Sequence, residues 1–381
     1  MIYLDHGATT PCDPSVRDAM LPFFTDKFEN PSSIYSASGS VKNIVMDVRE
    51  TAAALIGASR EEIFFTSGGT EADNWALMGA ADMYRREHAE GGHIITGSIE
   101  HPAILNTCAY LEKMGFDVTY LPVDRDGYVS VSDLESSIRP DTCLVSIMLA
   151  NNEVGTIEPI KELAKTAHDK NVLFHTDAVQ AFAQIPINVE ELGIDMLSAS
   201  AHKFYGPKGI GLFYVKKGIS MGSFIHGGAQ ERGRRAGTEN VPGIVGLGAA
   251  MKLASENMEK YASHEAELRD HMIERILNEI PGTHLNGPEK NRLPGNVSIS
   301  FDGLESESLV IGLDFRGIMA SAGSACSAGS AEPSHVLTAM GRSNAEAKST
   351  VRFSIGRGNT IDEIDEAVDA VKAIAENMRK R

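Results

Sequence analysis

Reactive side chains follow four predicted buried strands, at the points where those strands end. The four segments are Thr66–Glu71, Glu100–His101, His175–Gln180 and Ser200–Lys203. In an open α/β sheet, ligands bind beyond the carboxyl ends of the strands. The placement of these segments therefore predicts a ligand site.

Lys203 and Asp177 favour one kind of chemistry. Lys203 follows Ser200-Ala201-His202 and precedes a Gly-Pro turn, where its amine could form a Schiff base if the site lowered its pKa. Asp177 ends an apolar strand, where a carboxylate can pair with the protonated ring nitrogen of pyridoxal phosphate (PLP). The alternatives are a solvated surface lysine, and an aspartate that binds a metal or caps a helix.

Two other strand ends admit both a functional and a structural interpretation. Backbone N–H groups and hydroxyls around Gly69 and Thr70, at a predicted helix N-terminus, favour a phosphate site. The same residues also fit an ordinary helix cap with an acidic first turn. His101 could stack on a flat ring and transfer protons, or could simply begin the helix before Pro102.

The cysteines differ in their surroundings, and none forms a CxxC pair or a zinc-finger spacing. Cys108 falls in a predicted helix and Cys143 opens a predicted buried strand, so both are expected to be inert. Cys12 lies in a loop and is interpreted as incidental. Cys326 lies among glycine, alanine and serine residues that cannot bury a thiol, so it is the candidate nucleophile. No metal site is expected.

The composition is that of a globular protein with an acidic surface. The 381 residues include 35 Lys and Arg against 52 Asp and Glu, a formal net charge of −17. Such a surface repels phosphate backbones, so no nucleic-acid partner is expected. No apolar run approaches the roughly 20 residues that span a membrane, and the N-terminus lacks a signal-peptide pattern. We therefore expect a cytoplasmic protein without a membrane partner.

Predicted strands and helices alternate along most of the chain, which is typical of a mostly parallel sheet covered by helices on both faces. After a long predicted helix over 241–280, the pattern restarts with a strand at 296–301. The length also favours two domains. We predict a large domain over 13–255 and a smaller α/β domain formed by 1–12 and 256–381. The small domain would carry the Cys326 loop, at about 320–333, whose small residues predict mobility.

A set of short motifs runs in order from residue 3 to residue 354. They are Tyr3–Thr10, Asn30–Ser33, Thr66–Asn74, Glu100–His101, Asn151–Gly155, Asp177–Gln180, Ser200–Lys203, Arg235–Thr238, Gly323–Cys326, Glu332–Ser334 and Val351–Ser354. Together they resemble the cysteine desulfurases of the class V aminotransferase family, over essentially the whole chain. The resemblance implies an α/β protein with the fold type I of PLP-dependent transferases.

The resemblance implies a role for each predicted cofactor residue. Lys203 would hold PLP as a Schiff base, Asp177 would pair with the ring nitrogen, and His101 would stack on the ring and assist proton transfer. The other implied contacts are Gly69, Thr70, Ser200 and His202 to the phosphate, Thr238 to the phosphate from the second subunit of a homodimer, and Asn152 and Gln180 to the phenolic oxygen.

The resemblance also implies the substrate chemistry. Arg352 would bind the carboxylate of L-cysteine, with Asn152 beside it, because a guanidinium offers a planar fork of donors; the alternative for Arg352 is a structural ion pair. Cys326 would take the sulfur as a persulfide and leave L-alanine. The long loop around Cys326 resembles the subgroup that serves iron–sulfur cluster assembly, so Cys326 is also a candidate transient ligand of a cluster iron.

Alternatives within the fold are a selenocysteine lyase or another aminotransferase-type enzyme, and the Cys326 loop argues against a simple transaminase. A non-catalytic sulfur carrier would not need Lys203, Asp177 and His101, all of which are present. The expected acceptor is an iron–sulfur scaffold or another sulfur-accepting protein. The chain ends at Arg381, whereas longer family members carry a C-terminal extension that docks a scaffold, so the acceptor stays open.

Overall fold

The structure is a computed structural model that describes residues 1–88, 91–323 and 332–380. The strands are β1 (Ile2–Tyr3), β2 (Ile63–Thr66), β3 (His93–Gly97), β4 (Asp117–Leu121), β5 (Thr142–Ser146), β6 (Leu173–Asp177), β7 (Met196–Ser200), β8 (Gly211–Val215), β9 (Thr283–Leu285), β10 (Asn296–Phe301), β11 (Ile318–Met319), β12 (Ser321–Ala322) and β13 (Thr350–Ser354). The helices are α1 (Pro14–Met20), α2 (Pro22–Thr25), α3 (Ser36–Ile56), α4 (Gly69–Glu87), α5 (Pro102–Lys113), α6 (Val131–Ser137), α7 (Ile160–His168), α8 (Val189–Leu192), α9 (Val241–Glu279), α10 (Ser306–Asp314), α11 (His335–Ala339), α12 (Asn344–Lys348) and α13 (Ile361–Arg379).

The larger sheet has seven strands in the order β2-β8-β7-β6-β5-β3-β4. Only β8 runs antiparallel to its neighbours, β2 and β7, so the prediction of a mostly parallel sheet is confirmed. The carboxyl ends of β2, β3, β6 and β7 consequently meet at one edge of the sheet. This edge collects the four predicted reactive segments.

Both faces of the larger sheet are covered by helices. Along β2, Ile63 and Phe65 pack into an apolar cluster with α3 and α9, whereas Phe64 between them packs with α4 and α5. Successive side chains of a strand point to opposite faces. A strand buried on both faces is therefore largely apolar, and such short apolar runs between helical patterns indicated these strands in the sequence.

The smaller sheet has four antiparallel strands in the order β12-β13-β10-β9. Its apolar cluster includes α10, α13 and the second half of α9. The first half of α9 packs on the larger sheet, so this one helix of 39 residues joins both cores. The domain boundary at residue 255 stays a prediction. Within the described ranges, no helix is both long and apolar enough to cross a membrane.

Residues 4–10 connect the two sheets beside the predicted site. At one end, Ser354 N in β13 donates to Leu4 O at 2.7 Å. At the other end, Thr10 N donates to His202 O at 2.9 Å, after the end of β7. The N-terminal segment therefore runs directly past Lys203.

Candidate active site

Lys203 lies in a short 3-10 turn after β7. Its Nζ donates to two backbone carbonyls of the N-terminal segment, Gly7 O at 2.6 Å and Ala8 O at 2.9 Å. Gln184 Nε2 donates to Lys203 O at 3.1 Å and fixes the turn from the other side. The turn and the N-terminal segment thus orient the amine jointly.

Asp177 is the last residue of β6 and is buried. Its Oδ1 accepts a hydrogen bond from Val179 N at 2.8 Å. Burial raises the pKa of Asp177, while its interactions with His101 and Lys203 and the hydrogen bond from Val179 N oppose that rise. A positive ring nitrogen beside Asp177 would oppose it further, which is the pairing that PLP requires.

A buried polar layer lies behind Asp177. His175 Nδ1 is 2.9 Å from Ser146 Oγ and its Nε2 is 3.0 Å from Ser198 Oγ. Burial lowers the pKa of His175 to about 3. Burial and the charge of Asp177 raise the pKa of Asp73, a member of the same layer, well above its ordinary value. His175 is therefore neutral at neutral pH, and the raised pKa of Asp73, whose Oδ1 lies 3.8 Å from His175 Nε2, favours the protonated form of this second carboxyl beside Asp177.

His101 caps the N-terminus of α5, because its Nδ1 accepts from Ala103 N at 3.1 Å. The neutral ring therefore carries its proton on Nε2. Burial lowers the pKa of His101; Asp177 opposes this, while Lys203 and His335 add to it. Because protonation of Nδ1 would also break the cap, His101 is a neutral ring that can donate from Nε2.

The N-terminus of α4 is open to an anion. Its capping residue, Gly68, has no side chain to accept the free N–H groups of the first turn. A Cβ on Gly69 would lie 2.4 Å from Val179 Cγ2, so only glycine allows this close approach to the loop after β6. Thr70 is exposed at the same helix end. These features fit a phosphate group.

Two further donors predicted for the phosphate follow β7. Ser200 is buried, and His202 Nδ1 contacts Thr9 Oγ1 at 3.1 Å. Burial and the charges of Lys203 and Lys208 lower the pKa of His202 to about 4, so the ring is neutral. The donor set therefore fits PLP: hydroxyls and backbone amides for the phosphate, a carboxylate for the ring nitrogen and an amine for the aldehyde.

Arg352, in β13, is buried and paired. One guanidinium nitrogen donates to Asp5 Oδ1 at 2.8 Å and another to Asn152 O at 3.0 Å, while Nε has no acceptor in the described part of the chain. The ion pair that the sequence left as an alternative is thus present, together with an unused donor.

Gln180 Nε2 donates to Gly7 O at 3.0 Å, the carbonyl that Lys203 also contacts.

A partly open pocket lies beside these residues. Lys203, Asn152 and Gln180 all line it, although Asp177 and His101 do not. The space brings three of the predicted site residues to one surface, between the N-terminal segment and α9.

A small-domain helix docks on the turn that carries His101. Ser334 Oγ donates to Glu153 Oε2 at 2.5 Å, and His335 Nε2 lies 2.9 Å from Glu100 O. Side chains of α11 also pack with Ile99 in an apolar cluster. The sequence pattern held no signal for this contact beyond the Glu332–Ser334 motif.

The roles of two predicted residues, Thr238 and Cys326, stay predictions. Thr238 is exposed on the surface, so its contact from a second subunit stays a prediction. Cys326 lies in 324–331, outside the described residues. Among the described cysteines, burial raises the pKa of both Cys108 and Cys143 to about 12 and also raises that of the exposed Cys12.

The mostly parallel sheet, with Lys203 and Asp177 at the ends of adjacent strands, defines a PLP-dependent enzyme of fold type I. The chain belongs to the aminotransferase class-V family, whose model matches residues 2–367. The resemblance found in the sequence is thereby confirmed.

Relatives agree over nearly the full length. The cysteine desulfurase IscS of Methanosarcina thermophila is 51% identical over 378 residues, which cover 99% of this chain and 93% of that protein. A solved NifS-like protein is 39% identical with a TM-score of 0.92 and covers 99% of both chains. A solved structure described as SspA in complex with cysteine is 39% identical with a TM-score of 0.82, over 94% of this chain and 100% of the other.

Proposed function

We propose that this chain is a cysteine desulfurase that removes sulfur from L-cysteine and leaves L-alanine. The observation that carries the proposal is the convergence of Lys203 and Arg352 on Gly7. Lys203 Nζ contacts Gly7 O at 2.6 Å, and a Cβ on Gly7 would lie 3.4 Å from Arg352 Cζ. An amine for a cofactor and a guanidinium for a carboxylate thus flank one small space, as a PLP enzyme acting on an amino acid requires.

Each residue has a task that follows from its surroundings. PLP, when bound, supplies an electron sink for the substrate's α-carbon. Asp177 holds a proton on the ring nitrogen, because a buried carboxylate is stabilised by an adjacent cation. His101 donates from Nε2, and Arg352 orients the substrate carboxylate. In the described structure Arg352 is paired with Asp5, and its buried Nε has no acceptor among the described residues.

Cys326 is the proposed sulfur acceptor. Its thiolate attacks the substrate sulfur, an S–S bond forms, and the C–S bond breaks with its electron pair left on carbon, which takes a proton to become the methyl of alanine. The balance needs no external oxidant or reductant. The raised thiol pKa values of Cys12, Cys108 and Cys143 make them poor substitutes, because the thiolate is the nucleophile.

The direct test is incubation of the purified protein and PLP with L-cysteine, followed by quantification of alanine and of sulfur. We expect alanine and transferred sulfur in equal amounts, and sulfide when a reducing thiol is added. Pyruvate and ammonia in place of alanine would instead indicate a β-lyase. A parallel assay with L-selenocysteine measures the selenocysteine lyase alternative.

A homodimer with shared sites is the proposed assembly. Thr238 is exposed, and it lies far from Thr70 along the chain. The large apolar side chains of Phe24, Phe28 and Ile34 are also exposed. Exposed apolar side chains of this size are typical of a surface that a partner covers. Mixed Lys203→Ala and Thr238→Ala subunits should therefore regain activity, because each hybrid holds one intact site. Activity of a monomeric species in sedimentation at assay concentration would contradict this prediction.

We place the enzyme in the cytoplasm, where reducing conditions keep Cys326 available. The persulfide would pass to an iron–sulfur scaffold or another sulfur-accepting protein. The name IscS carried by the Methanosarcina thermophila relative supports the iron–sulfur route. Sulfur transfer from a radiolabelled persulfide to purified candidate acceptors would identify the partner.

A further inference from the structure

A turn at 230–235 covers the free edge of β2, which is an edge strand of the larger sheet. Phe65 N donates to Glu231 Oε2 at 3.1 Å. Ile63 O accepts from Arg49 at 2.6 Å and from Arg232 at 2.7 Å. The outward-facing backbone groups of β2 are thus satisfied by side chains of this turn and of α3. The covered strand leads directly into the phosphate-binding turn at 66–70.

A buried ion pair fixes the turn. The two terminal guanidinium nitrogens of Arg49 donate to the Glu231 carboxylate, each at 2.8 Å. The two side chains are only 6% and 4% exposed. Glu231 and Arg232 have φ values of 43° and 58°, a left-handed conformation that is uncommon without glycine. Such a conformation persists where the surroundings over-determine it, so the path of the turn is well specified.

The turn delivers Arg235 to Glu71, in the first turn of α4. Arg235 Nε donates to Glu71 Oε1 at 2.8 Å and its NH2 nitrogen donates to Oε2 at 3.2 Å. Glu71 Oε2 also accepts from Ser67 N at 2.9 Å. One carboxylate therefore links Arg235 to the backbone of the phosphate-binding turn.

The charge of Glu71 opposes an anion at this helix end. Burial raises the pKa of Glu71, but the hydrogen bonds from Arg235 and Ser67 outweigh burial and leave the pKa lowered, so the group is ionised at neutral pH. A carboxylate within the first helical turn is favourable alone, yet it repels a phosphate that binds there. Arg235 supplies the compensating positive charge. Its side chain is only 22% exposed, so screening of this charge by water is incomplete.

We propose that Arg235 is a positioning residue for the cofactor phosphate: it neutralises Glu71 and holds the phosphate-binding turn, while Arg49 and Glu231 hold Arg235 in place. The inference rests on the proposed function only in taking PLP as the ligand. Arg235 would thus strengthen the binding of the cofactor phosphate through Glu71, without contacting the cofactor itself.

The test compares PLP with pyridoxal, which has the same ring and aldehyde but no phosphate. Dissociation constants for both are measured by absorbance titration of the full-length, cofactor-free protein. Arg235→Gln should weaken PLP binding by roughly tenfold to a hundredfold and leave pyridoxal binding unchanged. Arg234→Gln removes the same charge from the same turn without touching Glu71, and should leave both constants near wild type.

Two further variants separate electrostatics from folding. Glu71→Gln/Arg235→Gln should recover most of the PLP affinity, because the repulsive carboxylate is also gone, and Arg235→Lys should keep most of it. Equal losses for PLP and pyridoxal in Arg235→Gln, or no recovery in the double variant, would overturn the inference. Wild-type protein that binds PLP but releases no alanine would instead overturn the proposed function alone.

Discussion

Replacing Cys326 by alanine should abolish alanine production from L-cysteine while PLP binding stays intact. Most residues assigned to the cofactor follow β3, β6 and β7 or begin α4, and none of the assigned contacts involves this thiol. Loss of a covalent nucleophile removes the reaction path instead of weakening one contact. The rate should therefore fall by several orders of magnitude.

Mass spectrometry provides the second measurement of this prediction. After a pulse of L-cysteine, wild-type protein should carry one added sulfur on the peptide that contains Cys326. Cys12→Ala is the matched control, because it removes an exposed thiol and should leave turnover unchanged. Cys108→Ala should alter only stability, by about 1–2 kcal/mol. Near wild-type alanine production by Cys326→Ala would exclude the persulfide mechanism and favour a β-lyase or selenocysteine lyase.

The architecture could be read from the sequence because it depends on local periodicity. The prediction of a strand at 296–301 matches β10 residue for residue, and α3 ends before Gly57, whose φ of 70° is the left-handed helix stop that glycine favours. The apolar run of the predicted strand that Cys143 opens continues to residue 150, but β5 ends at Ser146. Met148 N instead donates to Glu100 Oε1 at 2.8 Å, and burial alone does not distinguish such a loop from a strand.

The contacts within the site could not be read in the same way, because they join distant parts of the chain. Lys203 meets carbonyls 196 and 195 residues earlier, and Arg352 meets Asp5, 347 residues earlier. The motifs identified Lys203 and Arg352 by type and position. They carried no information about which backbone carbonyl or carboxylate each side chain contacts, since that depends on how the N-terminal segment crosses between the sheets.

The same separation along the chain explains why the sequence does not predict that Glu71 and Arg235 form a pair. Each falls inside a motif, Thr66–Asn74 or Arg235–Thr238, but the two residues are 164 positions apart in the chain. Arg49 and Glu231 are separated by 182 residues. These charges lie where they do because the turn covers the free edge of β2. Which strand lies at the edge depends on the order of strands in the sheet, and no single segment of the sequence reveals that order.

Lys203→Ala should lack the covalent, borohydride-reducible link to PLP and should make no alanine from L-cysteine. Nζ is the amine available to the cofactor aldehyde, and Gly7 O and Ala8 O already hold it in one orientation. Without the amine no covalent link forms, and the proton transfers that it serves are lost as well. Catalysis should fall by several orders of magnitude, although phosphate contacts around Gly69 still allow PLP to bind.

Borohydride reduction tests this prediction directly, because it converts a C=N bond into a stable amine. Wild-type protein incubated with PLP should be yellow and, after reduction, should carry the reduced cofactor on the peptide that contains Lys203. Lys208→Ala is the matched control, since this exposed lysine lies in the same loop and should leave colour and labelling unchanged. Labelling that persists in Lys203→Ala at another lysine, together with undiminished turnover, would show that the catalytic amine lies elsewhere. Because Ala8 O contacts Nζ through the backbone, a side-chain change at Ala8 that preserves the segment should alter the rate far less than loss of Lys203.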